Sequence, residues 1–426
     1  MAARLGFTDE KIADVLRKGL PKLNENDNAF TAALEAVPAE DWCRTWAAGR
    51  TIMLRRTSNR VKDLVDKMRL PAVVRLSRSF WGDAVGARWN GAARNGTAAE
   101  KQQIVMRQLP LMTGRCRIST LELPRCSMKG QDAERLAGVL AHCPALAHLD
   151  LSGNLNFGAE GAEKLAGVLA QCRVLVHLNL WNNRIGPAGA ESFAGVLGQC
   201  AALAHINLSG NELGEAGAES LAGVLGQCAA LAHLDIAGNQ IGDPGAGSLA
   251  GVLGECRVLT HLNLSSNGIA AEGAESLAEV LGQLTALAHL NLSGNGLGSA
   301  GADRLAGALA QCAALTHLNL SGNGLGEAGA ESLAGVLGQC AALAHLDLSK
   351  NDIGAPGAKR LAGVLAQCTA LTHLNLSYNH LCTPGVEKLA GVLAQCTALT
   401  HLDLFDNRIG DSGADRLAAV LGSAQR

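Results

Sequence analysis

The stretch ALAHLDLSGN, residues 145–154, decides the fold because the chain repeats it. Similar copies read VLVHLNLWNN at 174–183, ALAHINLSGN at 202–211 and ALTHLDLFDN at 398–407. Each of ten copies ends in an asparagine, and these asparagines stand 28 residues apart after a first step of 29. A fixed period of this length predicts a stacked repeat architecture rather than one ordinary globular core.

One unit, residues 202–228, changes its hydrophobic period in the middle. Apolar and polar residues alternate from Leu203 to Leu208, which predicts a short strand with one buried face. A helical stripe of apolar residues follows at Ala218, Leu221, Val224 and Leu225. Neither element can bury its apolar face alone, so neighbouring units must stack. The sequence therefore predicts an α/β fold, an open horseshoe of about eleven repeats with a parallel sheet inside and helices outside.

The pattern LxxLxLxxN followed by IGxxGAxxLAxxL resembles the leucine-rich repeats of the ribonuclease-inhibitor-like class, over residues 117–422. Members of that class include ribonuclease inhibitor, Ran GTPase-activating proteins and the sensor region of NOD-like receptors. The resemblance implies a right-handed β-α solenoid that binds a protein on its concave face. A degenerate copy, TLELPRC at 120–126, precedes the ten, and its Cys126 in place of asparagine predicts a terminal repeat.

Charge divides the chain into two parts. Residues 1–115 carry 20 Lys and Arg against 12 Asp and Glu, whereas the remaining residues carry 16 against 26. Helical patterns in the first part cover residues 8–20, 29–37, 50–69 and 97–112. We therefore predict a small, basic, helical N-terminal domain over residues 1–108 and a leucine-rich-repeat domain over residues 109–426.

The N-terminal domain faintly resembles an F-box, the module that docks substrate adaptors onto a ubiquitin ligase. Val37, Pro38 and Glu40 would form its start, although Val37 replaces the usual leucine. Its end would fall between Leu54 and Val61, and Val61 stands where tryptophan is common. The candidate docking residues are Pro38, Trp42, Leu54, Arg55, Arg56 and Arg60. A cap over the open end of the solenoid explains the same helices. The basic residues could instead face anionic lipid or nucleic acid, and we do not expect a nucleic-acid partner.

A histidine precedes the central leucine or isoleucine of every strand, and alternation places it on the concave face. The histidine column is His148, His177, His205, His233, His261, His289, His317, His345, His373 and His401. Neutral imidazoles that stack along a polar ladder, copied with the repeat, explain this column. Titration near a pKa of about 6.5 would instead make it a pH sensor. Capture of zinc or nickel is disfavoured because an in-line column converges poorly on a tetrahedral centre, and we expect no metal or cofactor.

A second column, of asparagine and aspartate, lies two residues beyond the histidines. Its members are Asp150, Asn179, Asn207, Asp235, Asn263, Asn291, Asn319, Asp347, Asn375 and Asp403. Both columns hardly vary, whereas a surface that binds one protein should carry aromatic or Arg anchors at a few positions. Departures occur beyond the strands, at Trp181, Lys350, Tyr378, Phe405 and Asp406. These five residues and the histidine column are the predicted contacts for a protein partner.

A cysteine column also follows the repeat, and Leu284 replaces one of its members. The column is Cys143, Cys172, Cys200, Cys228, Cys256, Cys312, Cys340, Cys368 and Cys396. Because leucine fills an apolar slot but cannot ligate a metal, we interpret these cysteines as buried apolar residues.

The sequence has no GxxxxGK(S/T) phosphate loop, and no Ser, His and Asp set differs from the repeat background. The chain is therefore predicted not to be an enzyme.

The leading functional interpretation is a scaffold that binds a protein through the concave face and the strand-end rim. Two alternatives stay open, a ubiquitin-ligase substrate adaptor and a Ran-type GTPase activator. Their partners would be ligase components or a small GTPase. The first residues lack an apolar secretory run, and no stretch reaches about 18 apolar residues, so we expect a cytoplasmic protein with no membrane span.

Overall fold

The computed structural model describes residues 71–75 and 117–424. Within these residues, twelve strands form one parallel sheet in which neighbours in sequence are neighbours in space. The strands are β1 (Pro71–Arg75), β2 (Arg117–Glu122), β3 (His148–Asp150), β4 (His177–Asn179), β5 (His205–Asn207), β6 (His233–Asp235), β7 (His261–Asn263), β8 (His289–Asn291), β9 (His317–Asn319), β10 (His345–Asp347), β11 (His373–Asn375) and β12 (His401–Asp403).

A helix follows each strand from β2 onward. The helices are α1 (Gly130–Leu140), α2 (Gly158–Leu169), α3 (Gly186–Leu197), α4 (Gly214–Leu225), α5 (Gly242–Leu253), α6 (Ala271–Leu281), α7 (Gly298–Leu309), α8 (Gly326–Leu337), α9 (Gly354–Leu365), α10 (Cys382–Leu393) and α11 (Gly410–Ala424). Strands stand about 4.8 Å apart, whereas a helix with its side chains is about 10 Å wide. The stack must therefore curve with the sheet inside, which confirms the predicted α/β repeat solenoid.

The core is a stack of leucines between the sheet and the helices. Leu234 of β6 and Leu249 of α5 are completely buried, and the equivalent positions of the other internal repeats behave alike. Small residues allow the helices to approach closely: a Cβ on Gly245 would lie only 2.9 Å from the Cβ of Ala218 in the preceding helix. This close packing explains how a core of this length needs an aromatic content of only 3%.

The asparagine that ends each copy is a buried structural residue. In the sixth strand's repeat, Asn239 is fully buried, and its Nδ2 donates to the carbonyls of Leu208 (3.0 Å) and Ile236 (2.8 Å). Its Oδ1 accepts the backbone N–H of Asn211 at 2.8 Å and of Leu213 at 3.4 Å. One amide side chain thus satisfies backbone groups of two adjacent turns, where no sheet or helix hydrogen bond reaches them.

The asparagines that end the copies are linked in a ladder, in which the N–H of one donates to Oδ1 of the next, as Asn211 does to Asn239. Among the described residues this asparagine ladder is interrupted once, near Ala270. Most other repeats have glycine at this position with positive φ, as Gly242 does (φ 62°), but Ala270 has φ −106°. The N–H of Ala270 donates to Asp243 Oδ1 (2.7 Å), whereas the N–H of Gly242 donates to the carbonyl of Asn267. Asn323, which lies two repeats after Ala270, has a buried Oδ1 without a hydrogen-bond partner. Alanine disfavours the left-handed region, and the altered turn at Ala270 lies near this one break in the ladder.

The structure describes one strand within the predicted N-terminal domain. Residues 71–75, within the domain predicted to be helical, form strand β1, which pairs in parallel with β2. Val73 and Val74 suit a strand, and Pro71 is tolerated at the first position. Strand β2 therefore has a neighbour on both sides. The prediction from Cys126, that the repeat at 120–126 ends the sheet, is wrong. All four predicted helical patterns lie outside the described residues.

Within the described part of the chain, no helix is long and apolar enough to cross a membrane.

We expect Asn239→Ala to lower the free energy of unfolding by about 3 kcal/mol, because it leaves several buried backbone groups without partners. Urea unfolding of the full chain measures the change. Ser248→Ala is the matched control, since the Ser248 hydroxyl caps one exposed helical carbonyl, Pro244 O, at 3.1 Å. The control should change stability by less than about 0.5 kcal/mol. Equal stabilities of the two variants would contradict the structural role of the ladder.

Restoring glycine at the interruption should stabilise the solenoid. Ala270→Gly permits the positive φ of the other repeats and lets Asn323 Oδ1 regain its donor, a gain of about 1 kcal/mol. Gly242→Ala should have the opposite effect, because Gly242 holds φ 62°. The same urea titration compares the pair. A destabilised Ala270→Gly variant would show that the interruption is not caused by this residue.

Candidate partner-binding face and rim

The histidine column forms a continuous stack of imidazole rings. From His261 to His401, successive ring centroids lie 4.0–4.1 Å apart with interplanar angles of 9–20°. This spacing is shorter than the strand separation of about 4.8 Å, so the side chains converge on the inner side of a curved sheet. The stack is looser around His205, whose centroid lies 5.6 Å from those of His177 and His233. The structure thus places the predicted column on the concave face.

Threonines fix the tautomer of four of these histidines. Thr260 Oγ1 lies 2.9 Å from the carbonyl of Ala232 and 2.8 Å from Nδ1 of His261. A hydroxyl has one proton, and the carbonyl can only accept, so Nδ1 must donate to Oγ1. The lone pair of the neutral ring therefore lies on Nε2, at the opposite side of the ring. Thr316, Thr372 and Thr400 repeat this arrangement with the histidines that follow them.

Burial and mutual repulsion lower the pKa of several of the stacked rings. Desolvation, followed by the charges of neighbouring histidines, lowers the pKa of His177 and of His317 to about 4. The same causes lower the pKa of His233, His261 and His289. The rings are nearly parallel, so their nitrogen lone pairs do not converge on one point. Among the described residues, no group of three or more His, Cys, Asp and Glu side chains is arranged to hold a metal ion.

The second column is fixed by backbone contacts. Asp235 Oδ1 accepts the N–H of Ala237 at 3.0 Å, and Asn207 Oδ1 accepts that of Ser209 at the same distance. This contact recurs along the column and leaves Oδ2 of each aspartate, or Nδ2 of each asparagine, directed to the concave side. In one place two members are joined, because Asn375 Nδ2 donates to Asp347 Oδ2 at 3.1 Å.

Three of the predicted contact residues pack together beyond the last strands. The Tyr378 and Phe405 rings meet edge to face at 5.3 Å, and Lys350 Nζ lies 5.4 Å from the Tyr378 centroid. Phe405 is 65% exposed and Tyr378 is 40% exposed, which is unusual for side chains of this size. We call Lys350, Tyr378 and Phe405 the C-terminal rim cluster. Asp406 lies beside it and is exposed.

The backbone of this rim disfavours large residues. Lys350, Tyr378 and Asp406 have φ values of 56°, 57° and 51°. Glycine occupies the equivalent position in most other repeats, as at Gly210 and Gly238. A side chain in the left-handed region costs about 1 kcal/mol or more, so these three residues stand against a local backbone preference.

The opposite end of the rim carries a second aromatic contact. Trp181 is half-buried, and the guanidinium carbon of Arg125 lies 5.4 Å from its ring centroid. Arg125 also has positive φ, 53°, and occupies the same repeat position as Lys350. Sequence reasoning missed Arg125 because it lies in the degenerate first copy. Its place 28 residues before Gly153 was the available signal. We call Arg125 and Trp181 the N-terminal rim pair.

The cysteine column has the predicted structural role. Its members from Cys143 to Cys368 are buried, and Cys256 Sγ lies 3.5 Å from the carbonyl of Leu225. Desolvation raises the pKa of the Cys143 thiol to about 11, and that of Cys228 and Cys312 similarly. These are unreactive thiols.

The candidate docking residues Pro38, Trp42, Leu54, Arg55, Arg56 and Arg60 lie outside the described residues, so the F-box interpretation stays a prediction.

Comparison with known proteins agrees with this architecture. The family model described as Leucine Rich repeat matches ten segments, which together make up more than half of the chain. The segments are residues 142–166, 171–194, 199–222, 227–250, 255–278, 283–306, 311–334, 339–362, 367–390 and 395–418. No curated protein matches the sequence. Among solved structures, an internalin from Listeria monocytogenes is similar, with 17% identity, a TM-score of 0.45, and coverage of 74% of this chain and 92% of that one.

The histidine column should make stability depend on pH. In the unfolded chain a histidine has a pKa of about 6.5, whereas His177 and His317 have pKa values of about 4 in the folded chain. Between these values the unfolded chain binds more protons. Stability is therefore fully present above about pH 6.5 and is lost as the pH falls toward about 4.

Urea midpoints measured across this pH range test the expectation. A variant with His261→Gln, His289→Gln and His317→Gln removes three titrating groups from the stack. It should show a smaller loss of stability on acidification than the unsubstituted chain. A midpoint that is constant, or that rises in acid, would contradict the assignment of neutral stacked rings.

Proposed function

Because this chain belongs to the leucine-rich repeat family, we propose that it is a non-enzymatic scaffold that binds a protein through its strand-end rim and concave face. The observation that carries the proposal is the C-terminal rim cluster. Its two aromatic rings are exposed and in contact with each other, and Tyr378 stands on backbone that favours glycine. Nothing in the packing of the solenoid requires them there.

The chemistry of the cluster suits a protein interface. Aromatic residues are enriched in hot spots, because they bury a large area at a small cost in side-chain entropy. The Tyr378–Phe405 contact and the Lys350 ammonium over the ring hold the three side chains in one arrangement before binding. Such preorganisation reduces the entropy lost on association.

The spacing of the rim contacts favours a large ligand. Trp181 follows β4 and Tyr378 follows β11, so about 34 Å of sheet separates the N-terminal rim pair from the C-terminal rim cluster. The corresponding rim positions between them are serine, alanine or glycine in the repeats of β5 to β9. A ligand that contacts both ends must have the dimensions of a folded protein surface.

A catalytic role receives no comparable support. In the described residues, the repeats present the same histidine, the same asparagine or aspartate, and a serine in similar positions. An active site needs a unique constellation with perturbed groups directed at one point. From His261 to His401 the stacked imidazoles are instead nearly parallel, and burial lowers the pKa of His317 to about 4. We therefore propose binding without chemistry.

Phe405→Ala should weaken binding of the partner about 30-fold, the loss expected for truncating a hot-spot aromatic residue. Affinity capture from cell extract with the full chain, followed by mass spectrometry, identifies proteins that depend on Phe405. Dissociation constants of the captured protein with both chains then measure the loss.

Val258→Ala is the matched control, since Val258 is a 47% exposed apolar side chain in the loop between α5 and β7, away from the rim. It should retain the partner fully. Proteins retained equally by the Phe405→Ala and Val258→Ala chains would remove the rim cluster from the binding site. Loss with both variants would indicate a general change in the solenoid rather than a local contact.

A further inference from the structure

Three asparagines of the asparagine ladder are followed directly by glycine. They are Asn267, Asn295 and Asn323, whereas a larger residue, such as Glu212 or Gln240, follows the ladder asparagine in the other repeats. An Asn-Gly pair is prone to lose ammonia from its side-chain amide, because glycine leaves the next backbone nitrogen unhindered. The three pairs stand in adjacent repeats, after β7, β8 and β9.

The sequence does not distinguish two of these pairs. Residues 289–298 and 317–326 have the same sequence, HLNLSGNGLG. Both ladder asparagines are buried, with 8% of Asn295 and 3% of Asn323 exposed to solvent. A difference between their reactivities in the folded chain must therefore come from contacts that the surrounding repeats make.

The Asn295–Gly296 pair is held at both of its reacting groups. Asn295 Oδ1 accepts the N–H of Asn267 at 2.9 Å and that of Ile269 at 3.1 Å. The N–H of Gly296 donates to the carbonyl of Ile269 at 2.8 Å. The amide and the backbone nitrogen that would attack it are therefore both fixed.

The Asn323–Gly324 pair lacks both of these contacts. Asn323 Oδ1 is buried without a hydrogen-bond partner, and within the described part of the chain the N–H of Gly324 makes no hydrogen bond. Asn323 Nδ2 still donates to the carbonyls of Leu292 at 3.0 Å and Leu320 at 2.9 Å. The amide is therefore held through Nδ2 alone.

The Asn267–Gly268 pair matches Asn323–Gly324 in every contact but one. Nδ2 of its asparagine donates to the carbonyls of Ile236 and Leu264, both at 3.0 Å, and among the described residues its glycine N–H makes no hydrogen bond. Its Oδ1, however, accepts the N–H of Asn239 at 2.8 Å. One hydrogen bond to Oδ1 thus separates the two pairs.

We propose that Asn323 is a deamidation site of the folded protein. The backbone nitrogen of Gly324 attacks Cγ of Asn323, the Cγ–Nδ2 bond breaks, and ammonia leaves with the proton that the Gly324 nitrogen gives up. Water then opens the five-membered succinimide at either carbonyl and yields aspartate or isoaspartate. The reaction consumes one water and releases one ammonia, and it is independent of the function proposed for the rim.

The rate in the folded chain depends on how easily the amide leaves the ladder. Local opening of a few hydrogen bonds frees the side chain for attack, and the population of the open form sets the rate. Asn323 should therefore deamidate about fivefold faster than Asn267, the factor that one net hydrogen bond supplies. Asn295 should be the slowest of the three, because two bonds to Oδ1 and one from Gly296 must break.

Deamidation at this position weakens the solenoid. Aspartate has no Nδ2, so the carbonyls of Leu292 and Leu320 lose their donor and face a buried carboxylate. Isoaspartate also adds one carbon to the main chain of the turn. The altered turn lies between β9 and α8, and so between the N-terminal rim pair and the C-terminal rim cluster.

Peptide mapping of the full chain during incubation in mildly alkaline buffer tests the proposal. Trypsin places Asn323 in peptide 305–350 and the other two asparagines in peptide 258–304, where tandem mass spectrometry separates them. We expect the folded chain to lose ammonia fastest at Asn323, then at Asn267, and slowest at Asn295. A rate at Asn323 equal to or below that at Asn267 would overturn the proposal.

The same incubation in guanidinium chloride separates structure from sequence. Asn295 and Asn323 should then react at equal rates, because the residues around them are identical. The ratio of the two rates in the folded chain, divided by their ratio in the unfolded chain, measures the effect of the ladder alone. A corrected ratio of one would show that the free Oδ1 has no influence on the reaction.

Gly324→Gln removes the site and keeps the turn, because Gln240 holds the equivalent place with φ 57°. Ammonia loss at Asn323 should disappear in this variant. The matched control, Gly268→Gln, makes the same change at Asn267 and should leave the rate at Asn323 unaltered. Continued loss at Asn323 in the Gly324→Gln chain would rule out the adjacent backbone nitrogen as the nucleophile and with it the proposal.

Discussion

A buried amide side chain holds each turn of this solenoid, and the remaining structure depends on it. Each strand is only three residues long from β3 onward, so the sheet ladder alone fixes little of the chain. The asparagine extends the order beyond the strand by satisfying carbonyls of its own turn and the preceding one, and N–H groups of the preceding turn. The helices can then stack at a constant pitch. Among the described residues the ladder fails in one place, at Asn323 Oδ1, and the nearby Ala270 lacks the positive φ of the equivalent residues in most other repeats.

The constant pitch also creates the concave face. Because every repeat places its histidine in the same register, the rings from His261 to His401 meet at 4.0–4.1 Å and shield one another from water. Desolvation, followed by repulsion between neighbouring rings, lowers the pKa of His317 to about 4. The carboxylates of the second column then determine the sign of the surface at neutral pH. The lowered pKa of a histidine such as His317 thus depends on the rings that the neighbouring repeats place beside it.

The rim differs from the concave face because its positions are free of the packing constraint. The left-handed turn accepts glycine in most repeats, yet holds Lys350 and Tyr378 near the C-terminal end and Arg125 near the N-terminal end. These departures bring a cation over an aromatic ring of the next repeat at Lys350 and Tyr378, and of the second repeat along at Arg125 and Trp181. Variation at the rim and uniformity on the concave face therefore favour the rim as the place of partner contact.

The sequence by itself determined the repeat, its strand and helix, the parallel order and the residues that share the concave face, since period and alternation alone specify them. It also identified Trp181, Tyr378 and Phe405 as departures from the repeat. Only the tertiary structure joined Arg125 to Trp181, fixed the histidine tautomers through threonines, and placed β1 on a sheet expected to begin later. It alone exposed the interruption at Ala270, which looks like a conservative change in the sequence. The reason is physical: periodicity records which way a side chain faces, whereas ring spacing, proton position and backbone φ depend on atoms contributed by the adjacent repeats.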